Sequence, residues 1–129
     1  MNKSDRVGEL RDELLGRILA VVAPGDEIYT LTSKRPNKIV SISHAGVEVQ
    51  TLRSEDRGAG PQLVPAWMIH AAWTRLRSSG HLTQGELLHE LNVKRSAFVC
   101  ALLSQFRDVS VLRSAPTVLE HRSTFDGDC

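Results

Sequence analysis

The sequence predicts an α+β fold, and three observations predict it. Apolar residues recur at helical spacing near the N-terminus. The pattern then switches to period two, and helical spacing returns in the second half. A chain of 129 residues has room for one domain, or for two small subdomains sharing a core. With 41% hydrophobic and 24% charged residues it has the composition of an ordinary globular protein, not of a disordered or fibrous one. No apolar run approaches the length of a membrane span. The opening segment MNKSDRVGELRDELL is polar and lacks the apolar centre of a signal peptide, so a cytoplasmic location is expected. Cys100 falls mid-helix and Cys129 is the last residue of the sequence, a spacing that points to neither a metal site nor a disulfide framework.

In order along the chain, residues 4–23 read as an amphipathic helix, with Val7, Leu10, Leu14, Ile18, Val21 and Val22 on one face. Ser4 or Asp5 can cap it, and Pro24–Gly25 stops it. The opposite face carries Glu9, Arg11, Asp12, Glu13 and Arg17, which suits a solvated surface with local ion pairs, or alternatively a dimerisation helix. Residues 27–52 contain three β-rich runs, EIYTLT, NKIVSIS and GVEVQTL, separated by turn signals. They predict a three-stranded antiparallel meander. Its core candidates are Ile28, Tyr29, Leu31, Ile39, Val40, Ile42, Val47, Val49 and Leu52. The connection Lys34-Arg35-Pro36-Asn37-Lys38 places three cations at one hairpin tip, either as a solvated turn or as a phosphate contact. Residues 53–62, RSEDRGAGPQ, read as a polar link that closes a first subdomain at residues 1–62.

A second subdomain, residues 63–122, begins with a helix over Pro65–Ser78. Proline suits the first turn, and Gly80 suits a left-handed stop. Ile69, Ala72, Trp73 and Leu76 form its core face, and Trp67 projects elsewhere, towards the sheet or, alternatively, as a stacking platform for a base. The stretch LTQGELLHELNVKRSAFVCALL follows. Leu82 suits a one-residue strand pairing, and Thr83-Gln84-Gly85-Glu86 has the spacing of a capping box. A helix over 84–91 is expected to bury Leu87, Leu88 and Leu91, and Asn92–Val93 makes the turn. A third helix runs from about Lys94 to Phe106. At 100° per residue its core arc is Phe98, Val99, Leu102, Leu103 and Phe106. The opposite arc, Lys94, Ala97, Cys100, Ala101 and Ser104, is short-chained and suits close approach to another surface, either a DNA groove or a protein helix. DVSVLR and TVLEH read as two strands around the turn Ser114-Ala115-Pro116, and residues 123–129 as a disordered tail.

The order helix, short strand, helix, helix, strand, turn, strand over residues 65–121 resembles the winged helix-turn-helix family of DNA-binding proteins. The full fold expectation is therefore α+β, an N-terminal helix with a three-stranded antiparallel meander followed by a winged helix-turn-helix unit. In that family the third helix enters the major groove and the hairpin wing touches the backbone. Carried over, the resemblance implies that Lys94, Arg95, Ser96, Ala97 and Ser104 lie on or near the recognition face, with Arg113 and Arg122 flanking the wing. The wing tip departs from the pattern, being short and uncharged. More loosely, the run IYTLT…PNKIVSI…GVEVQT followed by VPAWMI…AW and KRSAFVCALL resembles the target-recognition modules of prokaryotic restriction and phage-defence systems.

Charge is distributed unevenly. Residues 28–115 carry a net +5 between flanking segments at −2 each, which suits a basic working face for a polyanion. Phosphate-loop, dinucleotide-binding and serine-hydrolase motifs are missing. The histidines His44, His70, His81, His89 and His121 lack metal-ligand spacing with a carboxylate and read as surface or turn residues. The N-terminal order also resembles the core of PD-(D/E)xK nucleases. Glu48-Val49-Gln50 fits half of that motif, but Asn37–Ser43 carries no acid, and a catalytic metal needs several converging oxygens. The expected function is therefore non-catalytic double-stranded DNA binding, as a regulator or as the recognition component of a defence or restriction system. No cofactor or metal and no membrane contact are expected, and a homodimer or larger complex would lengthen the site read. Lys94 and Arg95 are the expected groove contacts, with Lys34, Arg35 and Lys38 on phosphates and Arg113 beside the wing as a further DNA-binding candidate. The alternatives are a winged-helix protein–protein interaction module and a degenerate nuclease relative.

Overall fold

The first helix, α1, spans Asp12–Val21 in the computed structural model, which describes residues 8–51, 58 and 60–122. It buries Leu14 and Ile18 and starts later than the apolar spacing predicts. Arg11 is extended, and the Leu10 N–H donates to the His44 carbonyl at 2.6 Å. That bond ties the preceding segment to a strand turn instead of letting it continue the helix. Leu10 is buried all the same. Ser4, Asp5 and Val7 lie outside the described residues, as does the expected tail.

Four antiparallel strands follow: β1 (Glu27–Tyr29), β2 (Pro36–Ser43), β3 (Gly46–Thr51) and β4 (Gln62–Pro65), in the order β1-β2-β3-β4. The expected meander thus gains a fourth strand, at the end of what reads as a link. QLVP hides it because only Val64 is buried and proline is tolerated at a sheet edge. Gly46 makes the close pairing possible. Its φ is +138°, it sits opposite Pro65, and an added Cβ would overlap the Val64 carbonyl oxygen. Ile28, Ile39, Val47 and Val49 face the core, while Tyr29 and Val40, also expected inside, are exposed. For Val40 the cause is the pleat. Asn37 and Ile39 alternate inward, so Lys38 and Val40 point outward.

The second half runs α2 (Ala66–Ser79), β5 (His81–Thr83), α3 (Gln84–His89), α4 (Ser96–Leu103), β6 (Val109–Ser114) and β7 (Thr117–His121). Its three strands form a separate antiparallel sheet in the order β5-β7-β6. Gly80 ends α2 at φ 84°, in the left-handed conformation its position predicts. The capping box is present in both directions: Glu86 N–H donates to Thr83 Oγ1 at 3.0 Å, and Thr83 N–H donates to Glu86 Oε1 at 2.9 Å. Asn92, at φ 57°, turns the chain towards α4.

α4 differs from its sequence reading in length and in surroundings. Lys94 and Arg95 lie in the turn before it, and Arg95 is non-helical at its N-cap. Every residue from Phe98 to Leu103 is buried, including Cys100 and Ala101 of the arc expected to face outward. The helix packs on α2, on α3 and on β1 of the first sheet. Its small side chains admit close packing within the chain itself, so no free short-chained face remains.

The buried side chains form one cluster drawn from both halves. Two polar contacts fasten them further. Arg17 of α1 reaches Asp108 at 3.2 Å, and its guanidinium lies 4.7 Å from the Trp73 ring centroid. Thr32, between β1 and β2, donates to the Ser114 carbonyl at 2.8 Å and lies 3.0 Å from the Thr117 hydroxyl. The boundary expected at residue 62 falls inside β4.

Candidate functional site

The β1–β2 turn is held by its own hydrogen bonds. Thr30 N–H donates to the Arg35 carbonyl at 3.0 Å, Lys34 N–H to the Thr30 carbonyl at 2.9 Å, and Arg35 N–H to Thr30 Oγ1 at 2.9 Å. Lys34 takes φ 58° at the tip. Because Thr32 anchors this turn on the β6–β7 hairpin, Arg35 is brought to the N-terminal end of α4. Between them lies a cavity of about 630 Å³.

Arg35, Lys94, Arg95, Ser96 and Ala97, all singled out in the sequence, line this cavity together. No acidic side chain is among the described residues that line it. Arg95 Nη1 donates to Gln62 Oε1 at 2.8 Å, a neutral partner, and burial pulls the Arg95 pKa below its usual value. Lys34, Arg35, Lys94 and Arg95 have no carboxylate partner among the described residues. Arg17 and Arg75, by contrast, are neutralised, the first by Asp108 and the second by Glu86 and Glu90.

Other sequence candidates lie apart. Lys38 is on the outward face of β2, paired in register with Glu27. Arg113 is exposed on β6, beside the Ser114 carbonyl that holds Thr32. Ser104 closes the far end of α4, its hydroxyl donating to the Ala101 carbonyl at 2.6 Å. Ser96 is 3% exposed, so as a groove-contacting side chain it is hidden; it meets only the cavity. Leu88, expected in the core, is exposed and lines the cavity, because α3 ends at His89 and turns only its Leu87 face inward.

Thr30, Pro36, Asn37, Thr51, Gln84 and Phe98 complete the lining, and none of them was singled out from the sequence as a contact residue. A signal existed for two of them. Thr30 and Asn37 are in phase with Ile28 and Ile39, so period two already places these polar residues inward. Neither the Ser96 hydroxyl nor the Asn37 side-chain oxygen has a hydrogen-bond partner among the described residues. Fully enclosed polar side-chain atoms there are all satisfied. These two oxygens therefore keep a window onto solvent-accessible space, which at their position is the cavity.

Elsewhere, Glu48 accepts from the Ser41 hydroxyl at 2.8 Å, and the described residues contain no cluster of three or more His, Cys, Asp or Glu side chains suited to a metal ion. His121, expected at the surface, is largely buried, 3.0 Å from Asp108 and edge-on to Trp73. Among the described residues no helix is long and apolar enough to cross a membrane. Comparison with protein-family models, with curated proteins and with solved structures returned no match.

Proposed function

We propose that this chain is a non-catalytic double-stranded DNA-binding protein, a regulator or the recognition component of a restriction or defence system, whose C-terminal unit is a winged helix. The order α2-β5-α3-α4-β6-β7 and the sheet order β5-β7-β6 support the winged-helix assignment. The observation that carries the function is the convergence of two basic pairs, Lys34–Arg35 and Lys94–Arg95. They are far apart in the chain; Arg35, Lys94 and Arg95 line one cavity, Lys34 sits beside Arg35 at the turn tip, and none of the four has a carboxylate partner among the described residues. Unpaired like charges on one surface repel each other, and a polyanion relieves that repulsion while releasing its own counterions.

The burial of α4 changes how contact is made. Packed under β1, the helix does not lie along a groove; its N-terminal end and the β1–β2 turn meet the backbone. Phosphate contact then dominates, and direct reading of base edges is sparse. A homodimer would present two such edges to successive turns of the duplex. The test is duplex binding by Lys34→Ala/Arg35→Ala and Lys94→Ala/Arg95→Ala. Each double variant is expected to bind at least about tenfold more weakly at low salt, about 1.4 kcal/mol. Wild-type affinity in both would remove the assignment.

The alternative of a protein-interaction module is favoured by Val111 and Leu112, exposed apolar residues on the edge strand β6. Under it, duplex binding is absent and Val111→Lys/Leu112→Lys abolishes association with a protein partner.

A further inference from the structure

We propose that the cavity between the β1–β2 turn and the N-terminal end of α4 is a binding site for one nucleoside 5′-phosphate, free or as a unit of a DNA strand. This deepens the DNA reading and rests on the same cations, but it concerns the cavity, not the surface around it.

Three features of the lining select this ligand. The first is size. At about 630 Å³ the cavity lies in the range of small-molecule sites and is far larger than a lone phosphate needs. The second is the sorting of chemistry. Phe98, Leu88 and Pro36 offer apolar surface for a heterocycle, while Arg35, Lys94 and Arg95 offer charge for a phosphate. The Gln84 carboxamide carries donor and acceptor atoms in the fork that matches the edge of a base, and Asn37, whose Nδ2 donates to the Arg35 carbonyl at 3.2 Å, adds an acceptor oxygen. A sugar phosphate would leave the apolar wall unused, and an aliphatic acid would leave the carboxamides unpaired. The third is the pair of unsatisfied oxygens. Asn37 and Ser96 are both more than nine-tenths buried, yet the Asn37 side-chain oxygen and the Ser96 hydroxyl have no partner among the described residues. Both oxygens open onto the cavity, where a ligand donor can pair with the Asn37 oxygen and a phosphate oxygen can accept from the Ser96 hydroxyl.

The experiment is NMR titration of the whole chain with the four deoxynucleoside 5′-monophosphates, the matching nucleosides and inorganic phosphate. Saturable shifts of the Asn37 and Gln84 side-chain amides are expected for the monophosphates, with Kd on the order of 0.1–1 mM. Nucleosides and inorganic phosphate are each expected to bind at least about tenfold more weakly. Ala97→Leu, which fills the cavity from a half-buried position without altering charge, is expected to abolish the shifts, and so is Arg35→Gln on the exposed turn. Monophosphates that leave both amides unmoved, or that shift Ala97→Leu as they shift the wild type, overturn the proposal. So does inorganic phosphate that binds equally well.

Competition then separates the two sources. Displacement of the nucleotide by a duplex bearing one unpaired nucleotide, but not by a fully paired duplex, assigns the unit to a strand; displacement by neither assigns a free nucleotide. Duplex binding is measured independently by anisotropy. Retained duplex binding without nucleotide shifts removes the cavity site and leaves the DNA reading standing, while the reverse result removes the DNA reading alone.

Discussion

Asp108 ties together side chains from both halves of the chain. It takes Arg17 at 3.2 Å and His121 at 3.0 Å, and both partners lie against Trp73. Burial alone would raise its carboxyl pKa, but the Arg17 charge and the His121 hydrogen bond outweigh that and leave it below its ordinary value. A depressed carboxyl stabilises the fold fully above the unfolded-state value, about 3.9, and the contribution is lost as pH falls through the folded-state value. Asp108→Asn is therefore expected to flatten the fall in urea midpoint below about pH 4. Asp108→Ala should cost about 2 kcal/mol at neutral pH, because it strands both partners. An unchanged midpoint would dissolve this account of the cluster. Cys100 makes a separate prediction. Burial pushes its thiol up to about 12, so in a Cys129→Ser background a thiol reagent should label nothing at pH 8 until denaturant is added. Fast labelling of the native protein would mean that α4 is exposed after all.

Among the elements, α3 and α4 show most clearly which information is local. The Thr83–Glu86 box was legible because its partners lie three residues apart, and Thr83→Ala should lower stability by about 1 kcal/mol in urea unfolding. Gly80 was legible for the same reason, ending a helix in a left-handed conformation that its lack of a Cβ permits. The burial of α4 was not legible. Its outer neighbour is β1, far upstream, and a helical layout of 94–106 cannot show which outer arc another part of the chain will cover. Short side chains on that arc recorded only that something packs closely there. β4 escaped for a different reason, since a four-residue edge strand with one inward residue has too few alternations to count. Its pairing depends on Gly46, so Gly46→Ala should separate β3 from β4. Loss of amide protection along Gly46–Val49 by hydrogen exchange is the expected signature; protection as in the wild type would show that β4 yields without cost.

On the scale of the whole molecule, the two halves share one core and are pinned by Arg17–Asp108 and by Thr32 on the β6–β7 hairpin. Unfolding followed by tryptophan fluorescence and by circular dichroism should then give coincident transitions, and two resolved transitions would return the halves to independence. The same pinning assembles the candidate site. Lys34–Arg35 and Lys94–Arg95 were legible as basic pairs, but the meeting of Arg35 with Lys94 and Arg95 at one cavity was not, because it depends on how the β1–β2 turn sits on the hairpin. Lys38 and Ser104 lie apart from the cavity for equally spatial reasons, one turned outward by the pleat and one placed at the far end of α4. What remains is a cationic edge beside a cavity, whose proposed role is to neutralise phosphates with Lys34, Arg35, Lys94 and Arg95. The most direct measurement is duplex affinity against salt concentration. The wild type should show log K falling steeply with log salt, and each double variant, Lys34→Ala/Arg35→Ala or Lys94→Ala/Arg95→Ala, should lower that slope by about 1–2. A slope identical in all three proteins, or affinity indifferent to salt, would contradict it.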